Sequence, residues 1–199
     1  MKSLPVVFAI SGASGAPYGV RLLEQLVAHE VPVSLIVTSH GLRLLETETD
    51  VKTVADLRRA VGAKGFDKYV TEFDDADRGA APASGSARSR GMVICPCSMG
   101  TLSAIAQGSS RSLVERAADV MLKERRRLVL VTRETPLSAV HIENMLRVTH
   151  AGAVVMPAAP GFYRKPKRID ELVDFIVARV LDQLGVDNTL VPRWGTHKK

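Results

Sequence analysis

The sequence predicts a single α/β domain over residues 1–199, a Rossmann-like three-layer fold around a doubly wound, mostly parallel sheet. Three observations carry this. The apolar runs are continuous rather than alternating, as in strands covered on both faces. Amphipathic segments separate them, the order expected of crossover helices. The first run empties into a glycine-rich loop that opens a helix. At 199 residues, 46% hydrophobic and 24% charged, the chain is long enough for one core.

Val6-Val7-Phe8-Ala9-Ile10 reads as the first strand, followed by the loop Ser11-Gly12-Ala13-Ser14-Gly15 and a helix over 17–29. Pro17 opens that helix, where a missing N–H costs nothing. The glycine spacing, Gly-x-x-Gly-x-x-x-Gly, is neither the dinucleotide pattern Gly-x-Gly-x-x-Gly nor a Walker A loop. A phosphate-bearing ligand and a tight turn without one both fit it.

Further strands are expected at 33–37, 92–95, 128–131 and 153–156, and helices at 101–107, 112–122, 138–149 and 169–184. Gly108 and Gly185 stand where helix stops belong. Residues 74–90 break the pattern, with the small, aperiodic run Ala80-Ala81-Pro82-Ala83-Ser84-Gly85-Ser86-Ala87. This is a loop, or backbone packed against a flat ligand.

Composition excludes several classes. No apolar run approaches the length of a membrane span, and the first residues are no signal peptide, so no membrane is expected. The formal net charge is +6, but aromatics are 5% and do not interleave with the basic residues, which argues against nucleic acid. The basic runs Lys123-Glu124-Arg125-Arg126-Arg127 and Arg164-Lys165-Pro166-Lys167-Arg168 are read mostly as solvated faces. Cys95 and Cys97 are too close along an extended strand for an easy disulfide, implying a reduced, cytoplasmic setting.

Open parallel sheets bind ligands beyond the carboxyl ends of their strands. Those ends here are 11–15, 38–39, 96–101, 132–136 and 157–163, rich in Ser, Thr, Gly, Pro and charge. Ser98 and Thr101 fit either an ordinary cap or, with free helix amides, a phosphate site. Arg133-Glu134 is expected to point into the crevice. Arg116, Asp119 and Lys123 share one helix face, as a salt-bridge ladder or an anion site. Asp74-Asp75-Ala76-Asp77-Arg78 and His141-Ile142-Glu143 resemble metal-binding and deaminase motifs but lack their remaining residues, so no protein metal site is expected.

Ser11-Gly12-Ala13-Ser14-Gly15, Ala83-Ser84-Gly85-Ser86, Cys95-Pro96-Cys97-Ser98, His141-Ile142-Glu143-Asn144-Met145, Pro160-Gly161-Phe162-Tyr163 and Pro192-Arg193-Trp194-Gly195, taken in order, resemble the UbiX-type flavin prenyltransferases. The resemblance runs from the first strand to the tail. It implies an enzyme that joins the dimethylallyl group of dimethylallyl phosphate to N5 and C6 of reduced FMN. The product, prenylated FMN, would serve a UbiD-type decarboxylase in ubiquinone synthesis or aromatic-acid degradation.

Carried over by position, the resemblance assigns Gly12, Ala13, Ser14, Thr38, Ser98, Met99, Gly100, Thr101 and Arg133 to FMN. It assigns Arg116, Lys123, Tyr163, Arg179 and Trp194 to dimethylallyl phosphate. Ser14, Glu48, Lys123 and Glu134 would be catalytic, the two carboxylates as acid and base and Ser14 beside N5. The tail from about residue 186 would close the site, and neighbouring subunits would complete it in a dodecamer built from trimers. One departure touches the prenyl pocket: Asp77-Arg78-Gly79-Ala80 stands where the family often has an aromatic.

The rival readings are an FMN-dependent decarboxylase of the peptidyl-cysteine or phosphopantothenoylcysteine type, and a non-catalytic flavin-storage protein. The first uses a histidine just before the strand at 92–95, and residues 66–91 contain none. The second would not require Lys123, Glu134, Tyr163 and Arg179 together.

Overall fold

Six parallel strands form one sheet in the order β3-β2-β1-β4-β5-β6, in a computed structural model that describes residues 4–193. The strands are β1 (Val6–Ile10), β2 (Val33–Val37), β3 (Val70–Phe73), β4 (Gly91–Cys97), β5 (Leu128–Thr132) and β6 (Val154–Pro157). Every residue of β1, β4 and β5 is buried, which is why their sequences are almost wholly apolar blocks, with the buried polar Thr132 at the end of β5. The edge strands β3 and β6 are short and only partly covered, which limits edge-to-edge pairing.

Side-chain alternation along β1 divides the core. Val6, Phe8 and Ile10 face a layer built from α1 (Ala16–Ala28), α2 (Ser39–Glu48), α3 (Val54–Val61), α4 (Ala63–Tyr69) and α8 (Ile169–Gln183). Val7 and Ala9 face α5 (Met99–Ala106), α6 (Leu113–Lys123) and α7 (Ala139–His150). The chain winds outward from β1 to β3, then returns past β1 to β4. That reversal opens a crevice beyond the carboxyl ends of β1 and β4.

Several elements differ from expectation. Residues 39–73 carry three helices and β3, none of them foreseen, because two of the helices span only 8 and 7 residues and give too short a period to register. Residues 74–90 form an ordered loop with one 3-10 turn, Ala81–Ala83, whose Pro82 and Ala83 are buried. Helix α7 is inverted: Asn144 and Val148 face inward, while Val140, Ile142 and Leu146 are 61%, 55% and 55% exposed.

The hydroxyl-rich edge is largely a capping device. Thr38, Ser98, Ser112 and Ser138 each accept a bond from a backbone amide in the first turn of α2, α5, α6 and α7 respectively. The two decoy motifs are absorbed in the same way. The Asp75 carboxylate accepts from Val114 N at 2.9 Å, capping α6, and His141 completes the α7 cap with Ser138.

Candidate active site

The crevice between β1 and β4 is organised by Ser11, a buried residue at the end of β1. Its hydroxyl donates to the Pro96 carbonyl at 3.0 Å and accepts from Ser98 N at 2.9 Å. One side chain thereby ties the glycine loop to the N-terminus of α5. The cap at Ser98 accepts from Thr101 N, leaving the Met99 and Gly100 amides outside the helical ladder.

These groups border a cleft of about 460 Å³, within the range of small-molecule sites. Gly12 contributes from the first loop, Thr38, Ser39 and His40 from the start of α2, and Ser98, Gly100 and Thr101 from α5. Asp75, Ser112 and Glu115 close it at the start of α6. The start of α6 is already capped by the Asp75 carboxylate, while the N-termini of α2 and α5 and a rim of hydroxyls suit a phosphate ester, so the donor set fits the phosphate end of FMN. Ser39 falls in the expected strand end 38–39, whereas His40, Asp75, Ser112 and Glu115 were not foreseen. Ser112-x-x-Glu115 carried a readable capping signal, whereas His40 belongs to a helix the pattern did not disclose.

A second cluster stands on the glycine loop. Gly15 sits at φ +118°, a conformation that favours glycine, and offers no side chain to cap α1. Glu48, at the far end of α2, does so instead: its Oε2 accepts from Gly15 N at 2.7 Å and Ala16 N at 2.8 Å. Partial burial pushes the Glu48 carboxyl up, but the Ser14 hydroxyl, the two amides and the Arg133 charge outweigh it and hold it below the ordinary glutamate value. Arg133 Nε donates to the Ser14 carbonyl at 3.4 Å. Ser14, Glu48 and Arg133 therefore meet, with an ionised Glu48. Glu134 is exposed at the same sheet edge and accepts from Thr135 N.

The residues expected at the prenyl phosphate are not gathered in one chain. Arg116 pairs with Asp119 at 2.7 Å. Helix α6 starts at the cleft and rises about 1.5 Å per residue, so Lys123 lies roughly 15 Å further on, beside Gly85 and paired with Glu124. Tyr163 packs edge-on against Phe175 of α8, centroids 5.9 Å apart. Arg179 is one turn further along the same α8 face and pairs with Asp182 at 3.1 Å. Trp194 lies outside the described residues. Among the described residues no His, Cys, Asp or Glu cluster could hold a metal, and no helix is long and apolar enough to cross a membrane. Cys95 and Cys97 are free, and burial pushes both thiols up, Cys97 to about 12.

The Flavoprotein family model matches residues 1–181. The chain is 47% identical over 201 residues to the flavin prenyltransferase UbiX of Pseudomonas aeruginosa, covering 96% of this chain and 93% of that one. A crystal structure of AnUbiX (PadA1) in complex with FMN and dimethylallyl pyrophosphate matches with a TM-score of 0.90 at 41% identity, over 99% of this chain and 100% of that one. A dodecameric FMN-dependent UbiX-like decarboxylase from Escherichia coli matches at 0.87 and 40% identity, over 96% and 99% of the two chains. A phosphopantothenoylcysteine-type decarboxylase, at 18% identity and TM-score 0.57, shares the fold alone.

Proposed function

The chain belongs to the flavoprotein family, among the UbiX-type flavin prenyltransferases, and on that premise we propose how its residues prenylate FMN. The observation that carries the proposal is the junction of the phosphate-suited cleft with the Ser14–Glu48–Arg133 cluster on a single loop. The decarboxylase alternative is not favoured, since residues 66–91 contain no histidine and the likeness to that class is one of fold.

In this reading Thr38, Ser98 and Thr101, with the amides of Met99 and Gly100, hold the FMN phosphate, while Gly12, Ala13, Ser14 and Arg133 border the ring system. Reduced FMN supplies the two positions, N5 and C6, that receive the prenyl group. Ionised Glu48 accepts a hydrogen bond from the Ser14 hydroxyl and so turns the Ser14 lone pairs toward N5. Breaking the allylic C–O bond places charge on the departing phosphate. Arg116, Lys123, Tyr163 and Arg179 offset that charge with preplaced donors. Glu134, or the departing phosphate, takes the proton lost from C6. A dry pocket protects the allylic fragment from water, with the tail from 186 closing over it. Asp182, which pairs with both Arg179 and Arg193 at 3.1 and 2.7 Å, supports placing that tail beside the phosphate ligands.

Because those ligands sit on separate surfaces of one chain, each site is completed by neighbouring copies. The outward Val140, Ile142 and Leu146 of α7 supply apolar surface for such contacts, in a dodecamer built from trimers. We further place the protein in the cytoplasm, delivering prenylated FMN to a UbiD-type decarboxylase. The test is anaerobic incubation of the protein with reduced FMN and dimethylallyl phosphate or pyrophosphate, followed by mass spectrometry of the flavin. A flavin heavier by one prenyl group is expected, and an unaltered mass with both donors overturns the proposal.

A further inference from the structure

We propose that Arg126 is a positioning residue for prenyl-phosphate binding: it ties the 84–87 loop to the end of α6 and so fixes where Lys123 presents its amine. The inference rests on the reading of Lys123 as a phosphate ligand given above.

Arg126 sits in a run of charges that reads as a solvated face, yet its side chain is only 21% exposed. The end of α6 sets its direction. Arg125 takes the left-handed conformation at φ +56°, its amide donating to the Leu122 carbonyl and that of Arg126 to Met121 at 2.8 Å. This is the paired closure of a Schellman turn, reached without the usual glycine, and it folds Arg126 back along the helix. The guanidinium then donates to two carbonyls of the loop, Nη1 to Ala87 and Nη2 to Gly85, both at 2.6 Å. A planar fork can span two acceptors in fixed geometry, and a lysine ammonium cannot reproduce it.

The same loop carries the Lys123 head group. A Cβ on Gly85 would lie 2.5 Å from Glu124 Oε1 and 2.8 Å from Lys123 Nζ, so this ion pair rests directly on the loop backbone. Glu124 bridges the assembly, bonded to Lys123 through Oε1 and 4.0 Å from Arg126 through Oε2. Beneath, Pro82 and Ala83 are buried. Arg126, Glu124, the loop and Lys123 form one block, which is presented to a neighbouring copy as a unit.

The test compares wild type, R126A and R126K. The expected result is a KM for dimethylallyl phosphate raised about tenfold in both variants with kcat within about twofold, the size of one lost charge-assisted bond. Hydrogen exchange is expected to quicken in peptides covering 84–90 and to stay unchanged in α1, and added guanidinium should lower the R126A KM. If R126A does not fold, R126K reads the same quantities. A wild-type KM in either variant overturns the inference, as does a raised KM with unchanged loop exchange, because the effect would not then run through the loop. If the wild type itself yields no prenylated flavin, the functional reading falls and this inference falls with it. A prenylating wild type beside an unaffected R126A removes this inference alone.

Discussion

Lys123 and Arg179 lie in opposite outer layers of the same sheet. Helix α6 packs on the face lined by Met92 and Ile94, and α8 on the face lined by Val93 and Cys95. The sheet and its core stand between the two helices. On the reading that both bind one phosphate, contributions from two different chains account for this placement.

That separation predicts subunit complementation. K123A and R179A homo-oligomers should each be nearly inactive. Oligomers reassembled from a mixture of the two should regain activity, because some sites draw Lys123 from one chain and Arg179 from another. Prenylated flavin measured before and after mixing checks this, and no regain would mean both groups come from one chain.

Glu48 should couple stability to pH. Its folded value is held below the ordinary glutamate value of 4.5, so its contribution is fully present above that value and is lost as pH falls through the folded value. At pH 7, E48Q should lose about 2 kcal/mol, roughly 4–8 °C in Tm. The gap between variant and wild type should narrow on acidification. Thermal melts at several pH values would show it, and a constant gap would contradict it.

Ser11→Ala leaves the buried Pro96 carbonyl and the half-buried Ser98 amide without their bridge. A cost of about 1–3 kcal/mol in urea unfolding is expected. FMN affinity, followed by fluorescence titration, should weaken as the α5 N-terminus loses its tether to the glycine loop.

Glu134→Gln should slow product formation by roughly 10²–10⁴-fold if this carboxylate is the base, with FMN binding intact because the side chain is exposed at the sheet edge. Stopped-flow absorbance reads the rate. A full-rate variant assigns the proton to the departing phosphate.

The parts of this protein legible in the chain are those written in consecutive residues. Val6–Ile10 announces a doubly covered strand, and Gly15 announces a left-handed turn. Ser98-x-x-Thr101 announces a helix start at a ligand edge. Each depends on a local period or a local conformation, so the fold and the polar edge that borders the cleft could be read directly. The polar strand ends were only half understood, since Thr38, Ser98, Ser112 and Ser138 cap helices whether or not a ligand is present.

What tertiary structure alone decided are the pairings across many residues. Glu48 caps a helix that begins 32 residues before it, Asp75 caps one that begins 38 residues after it, and Arg126 grips a loop about 40 residues upstream. The opposite placement of Lys123 and Arg179 belongs with these. None has a sequence period, because strand order and layer assignment determine which distant side chains meet. Those are fixed only when the whole core packs.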